Sequence, residues 1–136
     1  MNSARPRPFR FGIINERVGP PTEWLERARR AEALGYATFL IRDHLVSDYF
    51  GDQLAPLPAL MAAAMATTTL RVGTLVLDND FRHPALLAKE AATIDLLSGG
   101  RLELGLGAGW LKREYDAAGI PYDPPAVRID RLEESI

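Results

Sequence analysis

The sequence predicts an α/β fold built on a parallel sheet, and three observations predict it. Four short runs rich in aliphatic and β-branched residues alternate with segments of helical period, in the order β-α-β-α-β-α-β. The helical segments carry start and stop signals, with proline or threonine near their openings and glycine at two of their ends. The 136-residue chain, 47% hydrophobic and 25% charged, has the composition of a globular protein.

The elements follow in order. "FRFGIIN" (9–15) reads as a first strand. "PPTEWLERARRAEALGY" reads as a helix in which Thr22 accepts from the free amides of the first turn. Trp24, Leu25, Ala28 and Ala31 share one face of it, and Gly35 supplies the left-handed residue that ends it. "ATFLIRD" (37–43) is the second strand. "PLPALMAAAMATTT" (56–69) is a second helix with Pro58 in its first turn, and "LRVGTLVL" (70–77) is a third strand. "HPALLAKEAATIDLLSGG" is a third helix: His83 caps it, Pro84 starts it, Leu87, Ala91 and Ile94 share a face, and Gly99 ends it. Ser98 reads as a turn residue before the two glycines. "RLELGLG" (101–107) is the fourth strand, and "VRIDRLEESI" (127–136) is a fourth helix with Leu132 and Ile136 on one side.

Alternation of this kind implies right-handed crossovers between parallel strands. Two architectures satisfy it, an open doubly wound sheet and a (β/α) barrel. Both put function at the carboxyl ends of the strands. Asp43 and His44 lie at such an end, after the second strand. A closed barrel needs eight strands and roughly 250 residues, whereas four strands are visible here. The expectation is that residues 1–136 form the N-terminal half of a barrel domain, cut within the fourth helix. The alternative, a complete four-stranded domain, would leave both edge strands unpaired. On the half-barrel reading, uncovered edges and an open interior predict self-association, and a homo-oligomer is expected.

Composition narrows the function classes. A net charge of −2 argues against nucleic acid or an anionic membrane as electrostatic partner. Cysteine is absent, which removes disulfides, zinc–thiolate sites and a thiol nucleophile. The start "MNSARPRPFRFG" has no long apolar core and does not read as a secretory signal, so a cytoplasmic location is expected. "GLGAGW" (105–110) does not match the dinucleotide fingerprint. Its sixth residue is Trp110 counted from Gly105 and Lys112 counted from Gly107, where glycine is needed. In "DNDFRHP", Arg82 is a candidate anion contact. His44 and His83 fall on different loops with no H-x-H or H-x-x-E-H spacing, so no metal site is expected. No serine sits in a G-x-S-x-G elbow.

The run "RHPALLAKEAATIDLLSGGRLELGLGAGW", with "IRDH" upstream and "EYDAAGIPY" downstream, resembles the N-terminal half of the bacterial luciferase-like monooxygenase superfamily. "VGTLVLDNDFRHP" is most similar to its branch that uses the deazaflavin coenzyme F420. The resemblance implies a TIM (β/α)8 barrel, of which this chain covers about four βα units. It implies an oxidoreductase that moves a hydride between coenzyme F420 and a small organic substrate, with an FMN-dependent monooxygenase as the alternative. A flavin-binding half-barrel without turnover is the non-catalytic alternative. By the resemblance, His44 stands beside the ring as the proton-transfer group with Asp43 orienting it. Leu75 and Val76, joined by a non-proline cis bond, and Asp78 lie against the ring, as do Gly107, Ala108, Gly109 and Trp110. A sugar-phosphate dehydrogenase branch carries glutamate where Trp110 stands, which implies a more apolar or differently shaped pocket here. In many barrels phosphate is gripped by loops after the seventh and eighth strands, which lie outside these residues.

Overall fold

A computed structural model describes residues 9–15, 17–47 and 51–136. Six strands and five helices follow one another: β1 (Gly12–Ile14), α1 (Pro21–Ala33), β2 (Thr38–Ile41), α2 (Pro56–Met65), β3 (Arg71–Thr74), β4 (Leu77–Asp78), α3 (Pro84–Ser98), β5 (Leu102–Glu103), β6 (Leu106–Gly107), α4 (Lys112–Ala118) and α5 (Pro125–Glu134). A short 3-10 turn, Asn79–Phe81, joins β4 to α3. The main sheet has the order β1-β2-β3-β5, and β4 pairs with β6 in a second ladder. These four pairings are all parallel, with Gly12 beside Thr38, Thr38 beside Arg71, Val72 beside Leu102 and Leu77 beside Leu106. Neighbours in space are therefore neighbours in the βα order, as the alternation predicts.

Helices α1, α2 and α3 pack on the sheet because each presents a small-residue or aliphatic stripe to it. Trp24, Ala28 and Ala31 of α1 are buried at helical spacing. Their cluster includes Phe39 and Ile41 of β2, Leu60, Ala63 and Ala64 of α2, and Val72 of β3. The Trp24 indole meets the Phe39 ring edge-on at 5.2 Å and donates to the Ala59 carbonyl at 2.9 Å, which ties α1 to α2. Leu87 and Ile94 of α3 pack in a second cluster with Leu57 and Leu77. The His83 Nδ1 accepts from the Ala85 amide at 3.2 Å, and Gly99 ends α3 in the left-handed region at φ 74°. Both agree with the sequence reading.

Several expectations are corrected. Thr22 is not a cap: Pro20 is the boundary residue, Pro21 occupies the first helical position and no side chain caps α1. The second helix stops at Met65 rather than running through the threonines. The Glu32 carboxylate draws the following turn outward by accepting from the amides of Thr68, Thr69 and Leu70 at 2.8, 2.6 and 2.9 Å. The third and fourth predicted strands each break in two. The peptide between Leu75 and Val76 is cis, as the resemblance implied, and lies at the break in the ladder. At the break the Thr74 hydroxyl replaces the ladder bonds, accepting from the Gly105 amide at 2.9 Å and donating to the Gly105 carbonyl at 2.8 Å. Gly105 is required there, because a Cβ would sit 2.4 Å from the Thr74 carbonyl oxygen. Helix α4 was not expected. The helix read at 127–136 is α5, Pro125–Glu134; its buried residue is Arg128, and Ile136 lies beyond its end and is exposed. Among the described residues, no helix is long and apolar enough to cross a membrane.

Candidate active site

Three stretches of chain converge at the carboxyl ends of the strands. The residues after β2 bring Arg42, Asp43 and His44. The β3–β4 break brings Leu75 and Val76, with Asp78 just beyond. The segment leaving β6 brings Gly109, Trp110 and Leu111, and α4 adds Glu114. Together they line a cavity of about 210 Å³. Seven of the nine residues that the sequence nominated are thus brought together. Gly107 and Ala108 are not among its lining. Gly107 packs beneath the wall, where an added Cβ would lie 2.6 Å from Val76 Cγ2.

His44 is held by a residue the sequence reading missed. Its Nδ1 lies 3.1 and 3.3 Å from the two carboxylate oxygens of Glu114. The same carboxylate accepts from the Leu45 amide at 2.7 Å and the Val46 amide at 3.3 Å. Both side chains are nearly closed to solvent, at 10% and 4% exposed. A carboxylate oxygen accepts hydrogen bonds, so this contact makes Nδ1 the ring's donor toward Glu114. The Trp110 indole stands edge-on to the imidazole at 6.4 Å. Leu75, Val76 and Trp110, 48, 39 and 62% exposed, add an open apolar part to a lining that also includes Arg42, Asp43, Asp78 and Glu114.

Asp43 does not orient His44 as expected. It is committed to Arg82, whose two terminal nitrogens donate to it at 2.5 and 2.9 Å, and it accepts from the Asp78 amide at 3.0 Å. The reason is reach: the Asp43 side chain, 1% exposed, turns toward β4, leaving the imidazole to Glu114. Arg82, read as a possible anion contact, is the partner that makes burial of Asp43 tolerable.

Behind the cavity lies a second polar group. The Tyr115 hydroxyl is 3.0 Å from both oxygens of Asp78 and 3.1 Å from Asp80. Burial holds the Asp78 carboxyl above its ordinary range, and the Asp80 and Asp43 charges add to this against the Asp80 amide and the Tyr115 hydroxyl. Burial, followed by the bond to Asp78, also raises Tyr115. Arg131 neutralises the far side, donating to both oxygens of Asp80 at 3.0 Å and to Asp123 at 2.6 Å. Gly109 passes this cluster at φ 73°, where a Cβ would lie 1.9 Å from the Tyr115 hydroxyl. The signal that could have revealed Glu114 and Tyr115 is Gly119, a left-handed stop that marks "KREYDAA" as a short helix.

Comparison with known proteins places this geometry. The family model for the luciferase-like monooxygenase matches residues 8–136. The chain is 36% identical over 119 residues to the F420-dependent glucose-6-phosphate dehydrogenase of Amycolatopsis mediterranei, covering 85% of this chain and 36% of that one. It is 34% identical over 134 residues to the enzyme of the same name from Microbacterium testaceum, covering 95% of this chain and 39% of that one. It therefore spans well under half the length of these two relatives. A monooxygenase from Streptomyces bottropensis superposes with a TM-score of 0.80 at 32% identity, over 93% of this chain and 42% of that one. An F420-dependent secondary alcohol dehydrogenase, solved with an F420–acetone adduct, superposes with a TM-score of 0.80 at 25% identity, over 93% of this chain and 39% of that one. The parallel βα order, the cavity at the strand ends and a match running from residue 8 to residue 136 lead to one assignment: this chain belongs to the luciferase-like monooxygenase family.

Proposed function

We propose that this chain supplies the ring-contacting and proton-transferring part of a deazaflavin-dependent oxidoreductase acting on a small organic substrate. The observation that carries the proposal is the His44–Glu114 pair, nearly closed to solvent, at the edge of an open apolar wall. The residues suit a flat conjugated ring: Leu75, Val76 and Trp110 offer apolar surface, and His44 offers one exchangeable proton. A cavity of about 210 Å³ is smaller than the 300 Å³ and more usual for a whole ligand. It is sized for part of a cofactor, with the remainder held elsewhere.

When bound, coenzyme F420 would supply hydride chemistry that no side chain offers. The chain's own part is to exclude water with Leu75, Val76 and Trp110, and to move a proton at His44 Nε2. Glu114 fixes the tautomer and the plane of the imidazole. Asp43, paired with Arg82, shapes the wall and does not take part in the transfer. The similarity to two F420-dependent dehydrogenases supports the deazaflavin. A second reading, a monooxygenase, draws on the likeness to the Streptomyces bottropensis monooxygenase, with FMN the cofactor that the sequence resemblance offers as the alternative.

Single-turnover hydride transfer from reduced F420, in wild type and His44→Ala saturated with cofactor, tests the proposal. Loss of a general acid or base lowers the rate by about 10² to 10⁴-fold, with little change in cofactor affinity. Equal rates in the two proteins refute the role of His44. Tight binding of FMN with dioxygen consumption, and none of F420, selects the monooxygenase.

A further inference from the structure

We propose that Arg128 and Tyr122, on and just before α5, are positioning residues that hold the Gly109–Trp110 wall of the cavity in place. Neither touches the cavity. Three successive carbonyls of the wall are engaged from behind: Arg128 donates to Ala108 at 3.0 Å and to Gly109 at 3.4 Å, and the Tyr122 hydroxyl donates to Trp110 at 2.9 Å. Arg128 also donates to the Asp123 carbonyl, and its guanidinium lies 4.1 Å above the Tyr122 ring. Tyr122 in turn meets Tyr115 edge-on at 4.9 Å.

The charge makes the arrangement stiff. Arg128 is 5% exposed, and among the described residues its hydrogen bonds go to carbonyls and none to a carboxylate. A guanidinium taken out of water costs several kcal/mol unless its donors are satisfied. Here carbonyl dipoles and the face of one aromatic ring provide that compensation. The wall therefore cannot swing away from α5 without stranding a buried cation. Trp110 itself is mostly exposed and has little packing of its own to fix it. Its place beside His44 is set through its backbone, by residues more than ten positions later in the chain.

The consequence for ligand binding rests on the function proposed above, whereas the clamp itself does not. Two variants separate the parts. Tyr122→Phe removes one hydroxyl and keeps both ring contacts, so it leaves the fold intact. Arg128→Lys keeps the charge and loses the planar fork of donors. In the full-length protein labelled with 5-fluorotryptophan, Trp110→Phe and Trp24→Phe assign the two ¹⁹F lines that this chain contributes. The expected result is that Tyr122→Phe moves the Trp110 line and narrows it about twofold, as the indole gains fast local motion. The Trp24 line stays in place, and Arg128→Lys shows the larger effect. F420 affinity, measured on the full-length protein, should fall several-fold in both variants. An unmoved Trp110 line in both variants overturns the clamp. A moved line with unchanged F420 affinity overturns its role in ligand binding. A wild type that binds no F420 defeats the proposed function, and the ¹⁹F result still decides the clamp.

Discussion

Replacing Glu114 tests the link between site and stability most directly. Its carboxylate serves His44 Nδ1 and two consecutive amides, Leu45 and Val46, while buried. Glu114→Ala strands these donors. A hydrogen bond to a charged group contributes about 1.5–3 kcal/mol, and an unsatisfied buried partner costs a similar amount. The three bonds share one acceptor and are not additive, and the Val46 contact is long. The expected loss is about 2–4 kcal/mol. For a chain of this size each kcal/mol lowers the melting temperature by about 3–5 °C, so Glu114→Ala should melt roughly 6–20 °C lower. Glu114→Gln keeps an oxygen for the Leu45 amide but loses the charge facing His44, and should cost about 1–2 kcal/mol. Thermal and urea unfolding followed by circular dichroism measure both. A loss below about 0.5 kcal/mol for Glu114→Ala, the range of ordinary surface changes, refutes the claim that this carboxylate organises the loop.

Two further outcomes follow from the same geometry. The Glu32 carboxyl is lowered to about 2: burial raises it, and the amide bonds from Thr69, Leu70 and Thr68 with the Thr69 hydroxyl outweigh that. A depressed acid stabilises the fold above its unfolded value, and that stability drains away as pH falls from about 4.5 to about 2. After discounting for solvent screening, about 1–2 kcal/mol is at stake, and Glu32→Gln should flatten the acid limb of a stability–pH curve; an unchanged limb refutes the assignment. Gly109→Ala places a methyl inside contact distance of Tyr115 and Asp78 at a positive φ, and should cost more than about 2 kcal/mol; a melting temperature within 2–3 °C of wild type would show that the segment relaxes freely.

The fold was legible where local signals and burial agree. Trp24, Ala28 and Ala31 keep helical spacing, and Leu87, Ala91 and Ile94 do the same, so both helices could be read from periodicity. The site was legible at its strand ends, where Asp43 and His44 interrupt an apolar run. What failed depends on contacts distant in sequence. The break between β3 and β4 lies inside "LRVGTLVL", which reads as one strand despite Gly73; it is the match of Thr74 to Gly105, 31 positions away, that substitutes for the ladder. The partner of His44 lies 70 residues away on a helix of seven. Adjacency in sequence pointed to Asp43, and adjacency in space belongs to Glu114.

These long-range pairings share one arrangement that bears on how the cavity forms. Each group at its rim is held by a residue from a later element: His44 by Glu114 of α4, Asp43 by Arg82 after β4, and the Trp110 backbone by Tyr122 ahead of α5. The first two join separate βα units and need the parallel strands paired, whereas Tyr122 and Trp110 lie twelve positions apart. Slipping β4 against β6 by one residue would reverse the faces of Leu77 and Asp78. Asp78 would leave Tyr115, and Leu77, fully buried now, would turn toward the site. The close contacts of Gly105 and Gly107 beneath Thr74 and Val76 hold the strands in the one register that leaves His44 and Glu114 face to face.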